Sequence, residues 1–144
     1  KPFKVTLEDR IPNFARMTGD RVVFTPLMMS NPFGDYFHAP ELSTSTGMDS
    51  RMYGFRQRCS RVVMLEDELT LPAAMQAVVM PKDKNIKGDA ASFSADIKLV
   101  GNTLHFSAKH RMEKRMYEAG DWPVFRSALF ARKELSESPI ILSK

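Results

Sequence analysis

The residues on either side of Gly101-Asn102 constrain the fold of this sequence more than any other stretch. Apolar and polar side chains alternate through residues 92–109, and a period of two residues is typical of strands with one buried face. Glycine and asparagine both tolerate positive φ, so the pair predicts a two-residue hairpin turn. This turn sets a register in which the apolar side chains of both strands share one face. The predicted apolar pairs are Leu99 with Leu104, Ile97 with Phe106, and Ala95 with Ala108.

The polar side chains of the hairpin are predicted to lie on the opposite, solvent-facing side. His110 falls on the apolar side, opposite Phe93, and we interpret it as a hydrogen-bonded residue at the boundary of the core. The second strand is expected to continue as far as Tyr117. The predicted solvent-facing pairs are Lys98 with His105 and Ser94 with Lys109.

Other segments carry a weaker β pattern and are bounded by turn residues or prolines. Pro26 lies inside one of them and predicts an edge strand or a bulge, because proline cannot donate to the strand ladder. A solvated turn is predicted at Glu66, Asp67 and Glu68. The segments span residues 1–8, 21–29, 54–64, 68–71, 75–80 and 140–142.

One helix is predicted near the end of the sequence. Asp121 suits the N-cap position, and Pro123 falls in the first turn, where its missing N–H costs little. Trp122, Phe125 and Leu129 then lie on one face of the helix at i, i+3 and i+7. Together with the strands, this helix predicts a mostly β protein: an antiparallel β-sandwich with one short C-terminal helix at about residues 122–134.

Length and charge favour one domain without a nucleic-acid partner. A chain of 144 residues with 43% hydrophobic residues can bury one packed core. Because alternation starts at the first residue, we interpret residues 1–144 as one domain from the C-terminal part of a larger protein. No apolar run approaches the ~18–20 residues that span a membrane. The net charge of +4 is mild and the cations are spread out, unlike the basic face of a nucleic-acid binder.

Candidate catalytic side chains are few. Cys59 is the single cysteine, and a nucleophilic thiol needs a base and a positive environment, often at a helix N-terminus. Cys59 falls in a segment with a strand pattern, which favours a structural role. His105 and His110 are five residues apart and point to opposite faces of a strand, which does not fit a metal site. We therefore predict no catalytic residue, no metal site, no cofactor and no enzymatic activity.

Residues that contact a ligand or a neighbouring domain are sought outside the predicted core. The polar connection at residues 31–50 is long enough to be either a surface loop or a docking surface. An arginine-rich stretch follows it. The ten methionines fit core filling, which we favour, or an adaptable binding surface. The predicted contact residues are Tyr36, Phe37, Tyr53, Arg56 and Arg58.

Four stretches resemble the C-terminal β-sandwich domain that follows the transglutaminase-like domain in certain bacterial secreted or periplasmic proteins. As in that family, one strand ends at Leu71-Pro72 and a second ends at Pro81. The tail fits an aromatic-initiated helix at Trp122 followed by a short aliphatic strand. The stretches are GDRVVFTPLM (19–28), ELTLPAAMQAVVMPK (68–82), the hairpin with its long second strand, and WPVFRSALFARKELSESPIIL (122–142).

The resemblance implies a sandwich fold, a periplasmic or extracellular location, and an upstream transglutaminase-like domain in the same parent chain. It transfers no catalytic residue, because that family's cysteine–histidine–aspartate site lies in the preceding domain. The leading hypothesis is a non-catalytic accessory domain that supports the upstream domain. The alternative is an independent glycan- or peptide-binding module on the same sandwich.

Overall fold

The computed structural model describes residues 12–26, 47–57, 60–72 and 75–143. These described residues form mostly antiparallel strands with one short C-terminal helix, as the sequence predicted. The elements are β1 (Arg16–Thr18), β2 (Arg21–Phe24), β3 (Phe55–Arg56), β4 (Arg61–Thr70), β5 (Gln76–Val79), β6 (Lys84–Ile86), β7 (Ala91–Val100), β8 (Thr103–Met112), β9 (Met116–Tyr117), α1 (Trp122–Glu137) and β10 (Ile140–Ser143).

The described strands form two four-stranded sheets and one two-stranded pair. The first sheet has the order β1–β2–β10–β5, and the second has the order β4–β8–β7–β6. Strands β3 and β9 pair with each other. One hydrophobic core joins side chains of the first sheet, the inner face of the second sheet and α1. Helix α1 packs on β7 and β6, so it covers one side of the second sheet.

The predicted hairpin is confirmed in position and register. Strands β7 and β8 pair with Leu99 opposite Leu104 and Ile97 opposite Phe106, and the turn residue Gly101 has a φ of 60°. The side chains of Leu104 and Phe106 are buried. His110 lies opposite Phe93 on the same buried face, whereas Lys98 is exposed on the other face.

The prediction for residues 54–71 is wrong in its middle part. Glu66, Asp67 and Glu68 do not form a turn, since they lie inside the ten-residue strand β4. Glu66 and Glu68 point to solvent, and Asp67 lies opposite Phe106 on the inner side. A strand at a sheet edge tolerates charges on both faces, which hides the alternation in the sequence.

Several predicted boundaries also change. The second hairpin strand ends at Met112 rather than running to Tyr117, which belongs to the separate strand β9. The helix is confirmed and extends to Glu137. Strand β2 ends at Phe24, before the buried Pro26. The predictions for residues 1–8 and for most of the connection at 31–50 lie outside the described residues.

Candidate interaction surface

The short pair β3–β9 divides its side chains between core and solvent. Phe55 lies opposite Tyr117, and Arg56 lies opposite Met116. Residues directly opposite one another in an antiparallel pair project to the same side, and neighbours along the strand alternate. Phe55 and Tyr117 therefore turn together into the core, whereas Arg56 and Met116 turn together to solvent, in agreement with their burial.

An aromatic cluster holds the inner side of this pair. The Phe55 ring stacks on Tyr117 with centroids 4.8 Å apart. It also meets Trp122 edge-on at 5.3 Å and Phe125 at 5.0 Å. Each such aromatic contact stabilises by about 0.5–1.5 kcal/mol beyond area burial. The cluster thus ties β3 to the first turn of α1.

Gly54 permits the backbone to approach closely at this point. A Cβ at position 54 would lie 2.6 Å from the carbonyl oxygen of Tyr117, which is inside the contact distance of real Cβ atoms. A glycine is required here for space, because a side chain would push the two strands apart.

Residues 47–53 are also anchored to α1. The guanidinium carbon of Arg51 lies 4.0 Å from the Trp122 ring centroid and 4.8 Å from that of Phe55, a cation–π arrangement with both rings. The Trp122 indole N–H donates to the backbone oxygen of Met48 at 2.9 Å. Asp49 forms an ion pair with Arg126 at 2.7 Å. Residues 47–57, which we call the ribbon, are therefore fixed along the start of the helix.

The start of the helix is itself held by Asp121. Asp121 occupies the predicted N-cap position, but its carboxylate accepts hydrogen bonds from the Glu118 N–H at 3.0 Å and from Lys114 Nζ at 3.1 Å. These two bonds, the Glu118 N–H first, hold the pKa of Asp121 below its usual value. The backbone N–H of Lys114 donates to the Tyr117 hydroxyl, and burial raises the pKa of Tyr117.

The outer side of the ribbon exposes several large apolar side chains. The exposed fraction is 85% for Met52, 79% for Tyr53 and 67% for Met116. Exposed apolar groups gathered on one part of a surface mark interaction sites. We call these exposed apolar side chains, together with the exposed Arg56, the ribbon surface. It consists of Met48, Met52, Tyr53, Arg56 and Met116.

Two exposed cations accompany these apolar groups. Arg56 belongs to the ribbon surface, and the backbone of the exposed Arg115 lies beside β3, since the Arg115 carbonyl oxygen accepts the Gln57 N–H at 2.8 Å. In the part of the chain that the structure describes, neither arginine forms a salt bridge. The ribbon surface is therefore apolar with a positive border.

Two of the five predicted contact residues, Tyr53 and Arg56, lie together on this surface. Tyr36, Phe37 and Arg58 lie outside the described residues. The preference for methionines as core filling is wrong for Met48 and Met52, which are exposed. Met116 was missed because nothing in its sequence neighbourhood shows that it pairs with Arg56.

The remaining candidates offer little chemistry. Cys59 lies outside the described residues. Buried His110 lines a cavity of about 20 Å³ between β4, β8 and α1, which holds one water at most. Burial, with the charges of Arg132 and Arg61, lowers the pKa of His110 to about 4.

Over residues 12–26, 47–57, 60–72 and 75–143, no group of three histidine, cysteine or carboxylate side chains is placed to hold a metal ion. The described residues contain one α-helix, α1. It is neither long enough nor apolar enough to cross a bilayer.

Comparison with known proteins adds a family. A family model described as a domain of unknown function with a solved structure, DUF3858, matches residues 20–142. The chain belongs to the DUF3858 family. The matched span contains the whole ribbon surface of this DUF3858 chain.

A solved structure shares the fold. It is the crystal structure of a "putative protease" from Parabacteroides distasonis, with a TM-score of 0.58 and 13% sequence identity. The alignment covers 67% of the DUF3858 chain and 19% of that protein, so the chain corresponds to about a fifth of its length. No curated protein matches the sequence. At this identity the likeness shows the fold alone.

Proposed function

We propose that this DUF3858 chain is a non-catalytic accessory domain that supports an upstream transglutaminase-like domain of the same parent protein, and that it contacts that domain through the ribbon surface. The observation that carries the proposal is the division of the ribbon into a fixed inner side and an exposed outer side. Phe55 is buried in the aromatic cluster, whereas the neighbouring Met52 and Tyr53 are almost fully exposed.

A ribbon held in this way suits a docking role energetically. Association costs the ordering of loops and side chains at an interface, and a segment already fixed by the contacts of Phe55 and Arg51 has less to lose. Tyrosine and arginine are enriched among the residues that dominate interface energies, and methionine adapts to an uneven partner. Tyr53, Arg56 and Met116 supply these three properties.

The likeness in fold to part of a longer protein supports a role as one module of several, since the aligned region is 19% of that chain. We place the parent protein in the periplasm or outside the cell, following the resemblance to bacterial transglutaminase-like proteins. In this arrangement, acyl-transfer chemistry belongs to the upstream domain and the DUF3858 chain positions it.

The docking role is tested by amide hydrogen exchange on the parent protein and on the 144-residue chain alone. Amides of the ribbon are expected to exchange more slowly in the parent, because the upstream domain covers them. Replacing Tyr53 and Met116 by serine should remove this extra protection. The matched control replaces Met17 and Val100, which are exposed on other strands, and should leave it intact. Equal exchange of the ribbon in both proteins would refute docking at this surface.

The non-catalytic assignment has its own test. The 144-residue chain is expected to show no amine incorporation and no peptidase turnover. Alkylation of Cys59 should follow an ordinary thiol, with an apparent pKa near the unperturbed ~8.5. Turnover that is lost on Cys59→Ala, together with alkylation at a much lower pH, would overturn the assignment.

A further inference from the structure

Among the described strands, β4 is the longest that lies at the edge of a sheet. It runs for ten residues and pairs with β8 on one side, and no other described strand pairs with it. The exposed fractions of Val62 and Met64 on its outer side are 53% and 69%. An edge strand with free backbone groups is a template for pairing with another strand.

The inner side of β4 is incompletely covered. Val63 and Leu65 are half-buried, although their partners on β8, His110 and Ala108, are buried. Asp67 is also half-buried on this side, and no hydrogen bond or salt bridge to its carboxylate occurs within the described ranges. A carboxylate turned toward apolar neighbours is stabilised by a cation placed opposite it.

Exposed acidic side chains lie along only one half of the β4 edge. Glu66 and Glu68 project to solvent on the second half of β4 and discourage pairing with another acidic segment there. The first half reads Arg-Val-Val-Met-Leu and carries a single charge, that of Arg61. The strand therefore has a basic end, an apolar middle and an acidic end, which is a self-complementary arrangement for antiparallel pairing.

We infer that two copies of this chain pair through their β4 edges, antiparallel and centred on Met64. Opposite residues of an antiparallel pair must share a face, which restricts the possible registers. Centring on Met64 places Arg61 opposite Asp67 of the second copy and Val63 opposite Leu65 of the second copy. Centring on Glu66 places two glutamates opposite each other, and centring on Leu65 places Val63 opposite the partner copy's aspartate.

The pairing joins two four-stranded sheets into one continuous sheet with four strands from each copy. It covers Val62 and Met64, completes the inner apolar row, and gives each Asp67 a guanidinium neighbour. It uses none of the residues of the ribbon surface, so it is independent of the proposed function.

The register is tested by cysteine substitution in a Cys59→Ser background. Met64→Cys should form a disulfide-linked dimer under mild oxidation, because opposite Cα atoms in an antiparallel pair are about 4.5–5.5 Å apart, within disulfide range. Glu68→Cys is the matched control on the same exposed face. Its two copies would be offset by several residues, at about 3.4 Å per residue, and should not cross-link. Equal cross-linking of both variants would refute the register.

Sedimentation of the unmodified chain tests the dimer itself. A concentration-dependent dimer is expected, and Asp67→Lys should weaken it by at least about tenfold because it places two cations opposite each other. Adding Arg61→Glu should restore dimerisation by reversing the pair. A chain that stays monomeric at its highest soluble concentration would overturn the proposal.

Discussion

The hairpin β7–β8 and the ribbon at residues 47–57 are held in place by opposite means. The hairpin pairs residues close in sequence, joined by a two-residue turn at Gly101 and Asn102. The ribbon depends on contacts across the chain, such as the indole N–H of Trp122 with the backbone oxygen of Met48. Both regions contain a buried aromatic ring, Phe106 in the hairpin and Phe55 in the ribbon.

The hairpin and the ribbon differ in the kind of side chain that each exposes to solvent. In the hairpin, side chains alternate between a buried face and an outer face of mostly polar residues, with Leu99 half-buried and Val100 exposed near the turn. In the ribbon, the buried ring of Phe55 lies close in sequence to two large side chains that are exposed, Met52 and Tyr53. Exposed apolar groups do not stabilise the fold, so the contact role proposed above is an explanation for Met52 and Tyr53 that the fold alone does not supply.

The largest expected effect is the loss of either buried ring. Phe106→Ala should lower the free energy of unfolding by roughly 3–5 kcal/mol, through lost burial and a residual cavity, and Phe55→Ala should fall in the same range. Denaturant titration measures the free energy of unfolding of each variant. Hydrogen exchange distinguishes the two variants, because Phe55→Ala should release the ribbon locally while the β7–β8 amides stay protected. Uniform loss of protection in Phe55→Ala would show that the two regions are not independent.

The next effect is a pH dependence of the free energy of unfolding that comes from His110 in the hairpin. His110 has a pKa of about 4 in the folded chain against an ordinary 6.5, so the unfolded chain binds its proton more readily. Its contribution is complete above pH ~6.5 and is lost as the pH falls toward ~4, by roughly 3 kcal/mol. His110→Leu should flatten this slope in urea titrations at several pH values, because it removes the buried imidazole. An unchanged slope in His110→Leu would exclude His110 as its source.

Gly54 and Gly101 are required for different reasons, and replacing either should cost less stability than the changes above. Gly54→Ala should cost about 1–3 kcal/mol, because the new methyl would meet the Tyr117 carbonyl oxygen and must displace backbone. A methyl at position 101 would meet no atom of the described residues within 4 Å, and the positive φ of Gly101 alone should cost about 1–2 kcal/mol in Gly101→Ala. Thermal unfolding ranks the two. Asparagine tolerates positive φ, so Gly101→Asn should recover part of the loss and Gly54→Asn none.

The smallest effect is expected on the wet face of the hairpin. Lys98 is hydrogen-bonded to Asp96, which raises the pKa of Lys98, but the pair is exposed and screened by solvent. Lys98→Ala should leave the unfolding midpoint unchanged within error, in contrast to Ile97→Ala next to it, which should lose roughly 2–5 kcal/mol. Similar losses for these neighbours would contradict the assigned faces.

The parts of the fold that sequence predicts are those built from local patterns. Leu99 and Leu104 are brought together by a turn whose chemistry is visible in two residues, and α1 follows from the spacing of Trp122, Phe125 and Leu129. The continuity of β4 was missed, since strands were predicted at 54–64 and 68–71 with a turn between them. Consecutive acidic residues such as Glu66, Asp67 and Glu68 are typical of turns, and only the pairing with β8 shows that they lie in a strand.

The candidate surface was only half predictable for the same reason. Tyr53 and Arg56 were identified as residues outside the expected core, and both are exposed. The partnership of Arg56 with Met116 joins residues far apart in sequence, and no periodicity encodes it. Methionine fills irregular cores and also serves adaptable binding surfaces, so composition alone could not place Met48 and Met52.

The position of β10 has a consequence for the order in which the chain acquires its structure. Strand β10 lies between β2 and β5 in the first sheet, although it follows every other described strand in sequence. The second sheet is made from residues 61–112, and its strands pair without β10. The first sheet must wait for Ile140 and Leu142, so β2 and β5 emerge early with an unfilled gap between them. Closing that gap joins segments of high sequence separation, which is the slow kind of step in folding and the one most open to chaperone capture or misassembly.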